Sequence, residues 1–244
     1  MKETFEGAVC GTDGCSTEDL NPLSAAPTTA STSLMIEVIS DAICPWCWVG
    51  KRRLESALAA LSPDITATVT WRPFELNPDM PNAGLDRRAY RSRKFGSWER
   101  SQALDAQVAA AAKADGLDFR HDRMERTPNT IDAHRLIWLA GKEGVQNAVV
   151  EGLFSAYFHE GRDVGDADVL TAVGAEAGLD ASRVAAMLTS DEGMNEVTAE
   201  LDRATTLRVS GVPTVVVNGR PLFSGAIRPE LIEAHLREAA SHVR

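Results

Sequence analysis

Basic charge is scarce in this chain: 25 Lys and Arg stand against 35 Asp and Glu, giving a formal net charge of −10 and a pI near 5.0. Binding to nucleic-acid phosphates calls for a basic face, so no nucleic-acid partner is expected. Long apolar runs are also missing. No stretch approaches the roughly 20 residues that cross a bilayer as a helix, so no membrane association is expected. Residues 1–33 lack the apolar core of a signal peptide, which sets the expectation of a cytoplasmic protein. Cysteine is limited to four residues. In a reducing compartment a disulfide is more often catalytic or sensory than structural. With 244 residues and 44% apolar content, the chain can still build a sizeable core in one large domain or two small ones.

The four cysteines form two close pairs, Cys10 with Cys15 and Cys44 with Cys47. Cys44-Pro45-Trp46-Cys47 falls where the apolar, strand-like run Leu34–Ile39 ends. A helical pattern then begins, with Val49, Leu54, Ala57, Leu58 and Leu61 near one face. Two thiols one turn apart at a helix N-terminus can close a small disulfide ring. The free N–H groups there stabilise a thiolate. Cys44, nearer those groups and solvent, is the expected nucleophile, and Cys47 is the expected resolving thiol. Pro45 and Trp46 occupy the first helical turn, where the N–H that Pro45 lacks would have no partner. The competing meaning of Cys-x-x-Cys is half of a zinc site. That needs four ligands, usually from a second Cys-x-x-Cys or a His pair, and Cys10 and Cys15 could supply them but from a tail that reads as disordered, so no metal is expected.

Residues 1–33 are rich in Ser, Thr, Ala, Pro and Gly and read as a disordered tail. After the Cys44–Cys47 helix, stopped by Ser62-Pro63, the run from Ile65 to Trp71 alternates as a second strand. Residues 84–209 read as almost wholly helical, with Asn129 capping a helix that begins near Thr130. Strand character returns at Pro213–Val217. Asn218-Gly219 signals a tight hairpin, and a last helix starts at Arg228-Pro229. This order, βαβ then helices then ββα, predicts an α/β fold. Residues 34–83 and 210–244 form one domain of thioredoxin type, and residues 84–209 form an all-helical insertion.

Other candidates surround the dithiol. Asp41, three residues before Cys44, would raise a nearby thiol's pKa or relay its proton, but it equally suits a helix-start turn. Lys51, Arg52 and Arg53 read as a solvated helix face. His134 reads first as a structural histidine and second as a substrate contact. On composition alone Val212-Pro213 reads as an ordinary trans pair before a strand. Cys10 and Cys15 are separated by a flexible Gly-Thr-Asp-Gly loop. About 28 residues lie between Cys15 and Cys44, a chain that spans on the order of 30 Å. The tail pair is therefore expected to reach Cys44/Cys47 and exchange electrons with it.

The segment Ser40–Lys51 resembles the active-site segment of DsbA-family oxidoreductases of the FrnE type. So do Arg72–Pro78, Pro128-Asn129-Thr130 with Ala133–Leu136, and Gly211–Thr214 with Asn218-Gly219. The resemblance covers about residues 34–240 and implies a thioredoxin fold with an inserted helical domain. It also implies that Val212-Pro213 is a cis-proline loop facing Cys44 and Cys47. FrnE-type proteins carry a second Cys-x4-Cys pair near the C-terminus, whereas here it is N-terminal.

The expected activity is thiol–disulfide exchange with a protein or small-molecule partner, its direction and the oligomeric state left open. No cofactor is required, although glutathione or another low-molecular-weight thiol can take part. One alternative is a glutathione-dependent isomerase or transferase acting on a small aromatic substrate through residues such as Asn77 and His134. Another is a soft-metal stress protein using four thiolates.

Overall fold

The computed structural model describes residues 32–242. The tail and its Cys10/Cys15 pair lie outside the described residues. Strand β1 (Thr32–Ser40) leads into helix α1 (Pro45–Leu61), and strand β2 (Ile65–Pro73) returns parallel to β1. Parallel pairing needs a crossover, and α1 supplies it. Strands β5 (Thr214–Val217) and β6 (Arg220–Ser224) complete a sheet of order β2-β1-β5-β6, with β5 antiparallel to β1. Asn218 and Gly219 both take positive φ, 50° and 81°, so they form the two-residue turn that their sequence signals.

The period-two pattern of β1 sends Leu34, Ile36 and Val38 into the main core. Ile39 points the other way, onto Val216 and Ala204. Helix α9 (Pro229–Ser241) packs against α1. Ala204 belongs to α8 (Met194–Thr206), which covers the opposite face of the sheet.

Between β2 and α8 the chain is mostly helical: α2 (Arg87–Phe95), α3 (Trp98–Lys113), α4 (Ile131–Lys142), α5 (Gln146–Phe154), α6 (Ala167–Glu176) and α7 (Ala181–Leu188). One part of the expectation needs correction. Leu85–Asp86 (β3) and Arg126–Thr127 (β4) pair as a short antiparallel ladder. Helix α4 starts at Ile131, and the Asn129 side chain accepts the Ile131 N–H at 2.9 Å. Helix α5 runs on into a π-helical stretch, Ser155–Glu160.

Trp48 ties α1 to this layer, stacking on Phe154 and Phe158 and tilting against Phe119 at 5.1 Å. At the outer strand β2, the Gln146 carboxamide accepts the Trp71 N–H at 2.8 Å and donates to the Trp71 carbonyl at 3.2 Å.

Candidate active site

Cys44 is the N-cap of α1 with extended backbone (φ −90°, ψ 112°), and Pro45 is the first helical residue. The chain can enter the helix here because Pro45 fixes its own φ where no N–H partner is required. Cys47 follows one turn later, its N–H donating to the Cys44 carbonyl at 3.0 Å. Both cysteines are thiols. Cys44 is 4% exposed and Cys47 fully buried, so the expected greater exposure of Cys44 holds only by a narrow margin. Burial pushes the Cys47 thiol well up. The adjacent Cys44 sulfur adds to this, and contacts from Ser40 and the Asp41 backbone oppose it.

The Val212–Pro213 peptide is cis, as the resemblance implies and against the trans form favoured by composition. The Cys44 Sγ donates to the Val212 carbonyl at 3.6 Å. Gly50, on the face of α1 one turn past Cys47, lets this loop come close. A Cβ there would lie 2.8 Å from Pro213 Cγ.

Asp41 is completely buried. Its carboxylate accepts the Leu76 N–H at 2.7 Å and the Ile43 N–H at 3.2 Å. Burial nevertheless pushes its pKa up to about 6. His134 Nε2 donates to the Phe74 carbonyl at 2.9 Å and lies 3.8 Å from Asp41 Oδ1. Its Nδ1 has no partner among the described residues, and burial lowers its pKa to about 4. The carboxyl of Asp41 is therefore tied to His134 and the Phe74–Leu76 segment. What Asp41 offers Cys47 is a backbone contact that favours the thiolate.

The expected solvated face at Lys51–Arg53 is corrected. Lys51 is 2% exposed and pairs with Glu55 at 2.5 Å and Glu151 at 2.9 Å. Arg52 also bonds Glu151, and Trp48 Nε1 donates to it at 3.1 Å. Arg53 pairs with Asp115 at 2.9 Å and donates to the Ala226 carbonyl at 2.6 Å. Glu55 is a local partner one turn on, whereas Glu151, Asp115 and Ala226 lie far along the chain, beyond the reach of local pattern.

Beside Cys44 opens a cavity of 390 Å³, whose lining includes Pro45, Trp46, Asn77 and Val212. The structure thus gathers Cys44, Pro45, Trp46, Asn77 and Val212 at one opening. Cys47 and Pro213 stand behind that opening, and Asp41 and His134 form a separate buried pair. His134 lines a different cavity, with Trp138 and Gln146, so it does not share a ligand space with Asn77 beside Cys44. Lys94, Arg91, Asp105, Thr127 and Tyr157 also line the Cys44 cavity, and no local motif in the sequence marked them.

A dithiol at the start of a helix, packed on a sheet of this order and facing a cis-proline loop, is the arrangement of a thioredoxin-fold dithiol protein. The chain belongs to the DSBA-like thioredoxin domain family, whose model matches residues 35–237. The structure is similar to SCO1869 from Streptomyces coelicolor, described as a probable DsbA oxidoreductase, with a TM-score of 0.80 and 34% identity over 86% of this chain and 92% of that one. The uncharacterized protein YwbO of Bacillus subtilis is 27% identical, covering 81% of this chain and 93% of its own length. The cytosolic disulfide reductase DsbM from Pseudomonas aeruginosa, solved with GSH, shares the fold at a TM-score of 0.58 and 16% identity, over 85% of this chain and all of that one. No helix among the described residues is long and apolar enough to cross a membrane.

Proposed function

We propose that this protein exchanges disulfides with thiol or disulfide substrates through Cys44 and Cys47, Cys44 acting as nucleophile and Cys47 as resolving thiol. The observation that carries this reading is the placement of Cys44 at both the N-cap of α1 and the cavity wall, with Cys47 buried behind it. In the oxidising direction a substrate thiolate attacks the Cys44 sulfur of the Cys44–Cys47 disulfide. The bond breaks and Cys47 leaves and is protonated. A second substrate thiolate then displaces Cys44 from the mixed disulfide. In the reducing direction the same bonds form and break in reverse, two electrons passing to the substrate. Because burial favours the protonated form of Cys47, a mixed disulfide on Cys44 persists until Cys47 loses its proton, which separates the two roles.

The reading extends to several finer points. Val212 and Pro213 flank the incoming sulfur, and Pro45, Trp46 and Asn77 border its entry. Asp41 and His134 support the segment that carries Asn77. Cys10/Cys15 serves as an accessory pair that passes electrons to and from Cys44/Cys47. Residues 34–83 with 210–244 act as the redox domain, and residues 84–209 roof the substrate. The setting is cytoplasmic, where the compartment's poise against the pair's potential decides the direction.

Equilibrating the full chain in glutathione buffers tests this. A reversible two-electron transition of Cys44/Cys47 is expected beside that of Cys10/Cys15, still present without residues 1–33 and absent in both Cys44→Ser and Cys47→Ala. Cys47→Ala should accumulate mixed disulfides that Cys44→Ser does not form. A potential above roughly −230 mV assigns an oxidant or isomerase, and one near about −270 mV assigns a reductase. A chain with no reversible disulfide overturns the reading.

A further inference from the structure

The cavity at Cys44 carries features that disulfide exchange with a flexible protein loop does not call for. Its volume, 390 Å³, is that of a small-molecule site. Thr127 lines it and is 5% exposed, yet its hydroxyl Oγ1 has no hydrogen-bond partner among the described residues. A buried hydroxyl left unpaired is destabilising, a deficit that a bound polar group removes. Tyr157, presented by the π-helical stretch, forms an adjoining wall. Its hydroxyl is already committed to the Arg126 carbonyl at 3.1 Å. Single π turns inside α-helices recur where a side chain must be re-aimed at a site.

The charge of the lining is unlike that of the whole chain. Two cations, Arg91 and Lys94, face one carboxylate, Asp105. Asp105 is held at 2.7 Å by Arg91 and at 2.6 Å by the buried Arg87. Lys94 bonds only neutral oxygens, Asn77 Oδ1 and the Leu76 carbonyl, and has no carboxylate partner among the described residues. Both acceptor contacts of Asn77 are spent on Tyr90 and Lys94, which leaves its amide N–H groups without an acceptor among the described residues. A positive opening on a protein of net charge −10 selects for negative charge.

We propose that this cavity is a binding site for a small disulfide carrying a carboxylate. Lys94 and Asn77 hold the carboxylate, and the Thr127 hydroxyl pairs with a buried polar group of the ligand. The proposal rests on the redox reading of Cys44 and Cys47 and names its substrate class. In the step it implies, the Cys44 thiolate attacks one sulfur of the bound disulfide. The S–S bond breaks and one small thiolate leaves, taking up a proton. The Cys47 thiolate then attacks the Cys44 sulfur and releases the second small thiol. The enzyme ends as the Cys44–Cys47 disulfide and the ligand as two thiols, so two electrons have moved.

The test is a single-turnover oxidation of the pre-reduced full chain, with Cys10→Ser and Cys15→Ser so that only Cys44 and Cys47 report, by three disulfides. Glutathione disulfide is anionic, hydroxyethyl disulfide neutral and cystamine cationic. Each rate is divided by the rate of a free small thiol with the same disulfide, which removes intrinsic reactivity. The anionic disulfide should be favoured over the cationic one by at least about fivefold, the size of one partly exposed charge contact. Lys94→Glu should reverse that order. Thr127→Val, which removes the hydroxyl at nearly constant volume, should weaken saturation by glutathione disulfide without lowering the melting temperature. Equal normalised rates for all three disulfides, or an order unchanged in Lys94→Glu, would overturn the site and leave the redox reading standing. Failure of every disulfide to oxidise the chain would overturn both.

Discussion

Helix α1 has two polar neighbourhoods that are built on opposite principles. From its second turn onward, Lys51, Arg52, Glu55 and Glu151 form a network in which each charge meets an opposite one. Although burial alone would raise Glu55, its bonds to Lys51 and Arg52 hold its carboxyl below the usual range. At the N-terminal end the buried groups are held away from their usual ionisation instead. Cys47 is pushed up, Asp41 rises to about 6 and His134 falls to about 4. Desolvation leads in all three. The paired network fixes where α1 sits, by way of Trp48 and Glu151. At the unpaired end burial favours the uncharged form of all three groups. The contrast separates ionisable groups held charged by opposite partners from those held neutral by burial.

The sharpest way to break this contrast is through pH. Asp41 has a folded pKa above its unfolded value, so its contribution to stability is largest in acid and is lost as pH rises from about 4 to about 6. His134 has a folded pKa below its unfolded value, so its contribution is present above about 6.5 and is lost as pH falls toward about 4. Each amounts to roughly 3 kcal/mol and the two oppose each other, so the native chain should show little net pH dependence from this pair. His134→Gln should expose the Asp41 profile, gaining stability relative to the native chain as pH drops from 6.5 to 4. Asp41→Asn should show the opposite slope. Urea midpoints across that range check both, and parallel profiles in all three proteins would show that the pair is not held neutral.

Breaking the paired network has a smaller expected effect. Glu151→Ala removes one of the two carboxylates that face the buried Lys51 and the acceptor for Trp48 Nε1. The loss should be about 2 kcal/mol, reduced from the cost of a deeply buried pair because Glu151 is partly exposed. The rate at which Cys44 reacts with a small alkylating agent should change little. A large change in that rate would mean that the two neighbourhoods of α1 act as one.

The smallest effect lies where the neighbourhoods meet, at Gly50. Gly50→Ala gains helix propensity but sets a methyl 2.8 Å from Pro213 Cγ. The net loss should be about 1 kcal/mol, with the shift falling on the Pro213 loop. A slower reaction at Cys44, without loss of helical circular dichroism, is the expected readout.

Much of this arrangement is legible in the chain because it is local. The dithiol at a strand–helix junction, the alternation from Ile65 to Trp71 and the Asn218-Gly219 turn each need only a few consecutive residues. What escapes the sequence is contact at long range. Lys51 reads as solvated because Glu151 lies a hundred residues downstream. The β3–β4 ladder is two residues on each side, too short for any periodicity. Lys94 and Thr127 carry no motif and become neighbours of Cys44 only once the helical layer is folded over it. Asp41 stands close to Cys44 in sequence, yet its carboxyl turns to the backbone of Leu76 and away from the thiols.

The Gln146 side chain has a consequence beyond the site. An outer strand offers its unpaired amides to any passing strand and is the usual seed of sheet-to-sheet aggregation. By bonding both the N–H and the carbonyl of Trp71, one carboxamide imitates the residue that a fifth strand would place there. An incoming chain would have to displace it before pairing at that point, so α5 guards the sheet margin nearest the redox helix against self-templating.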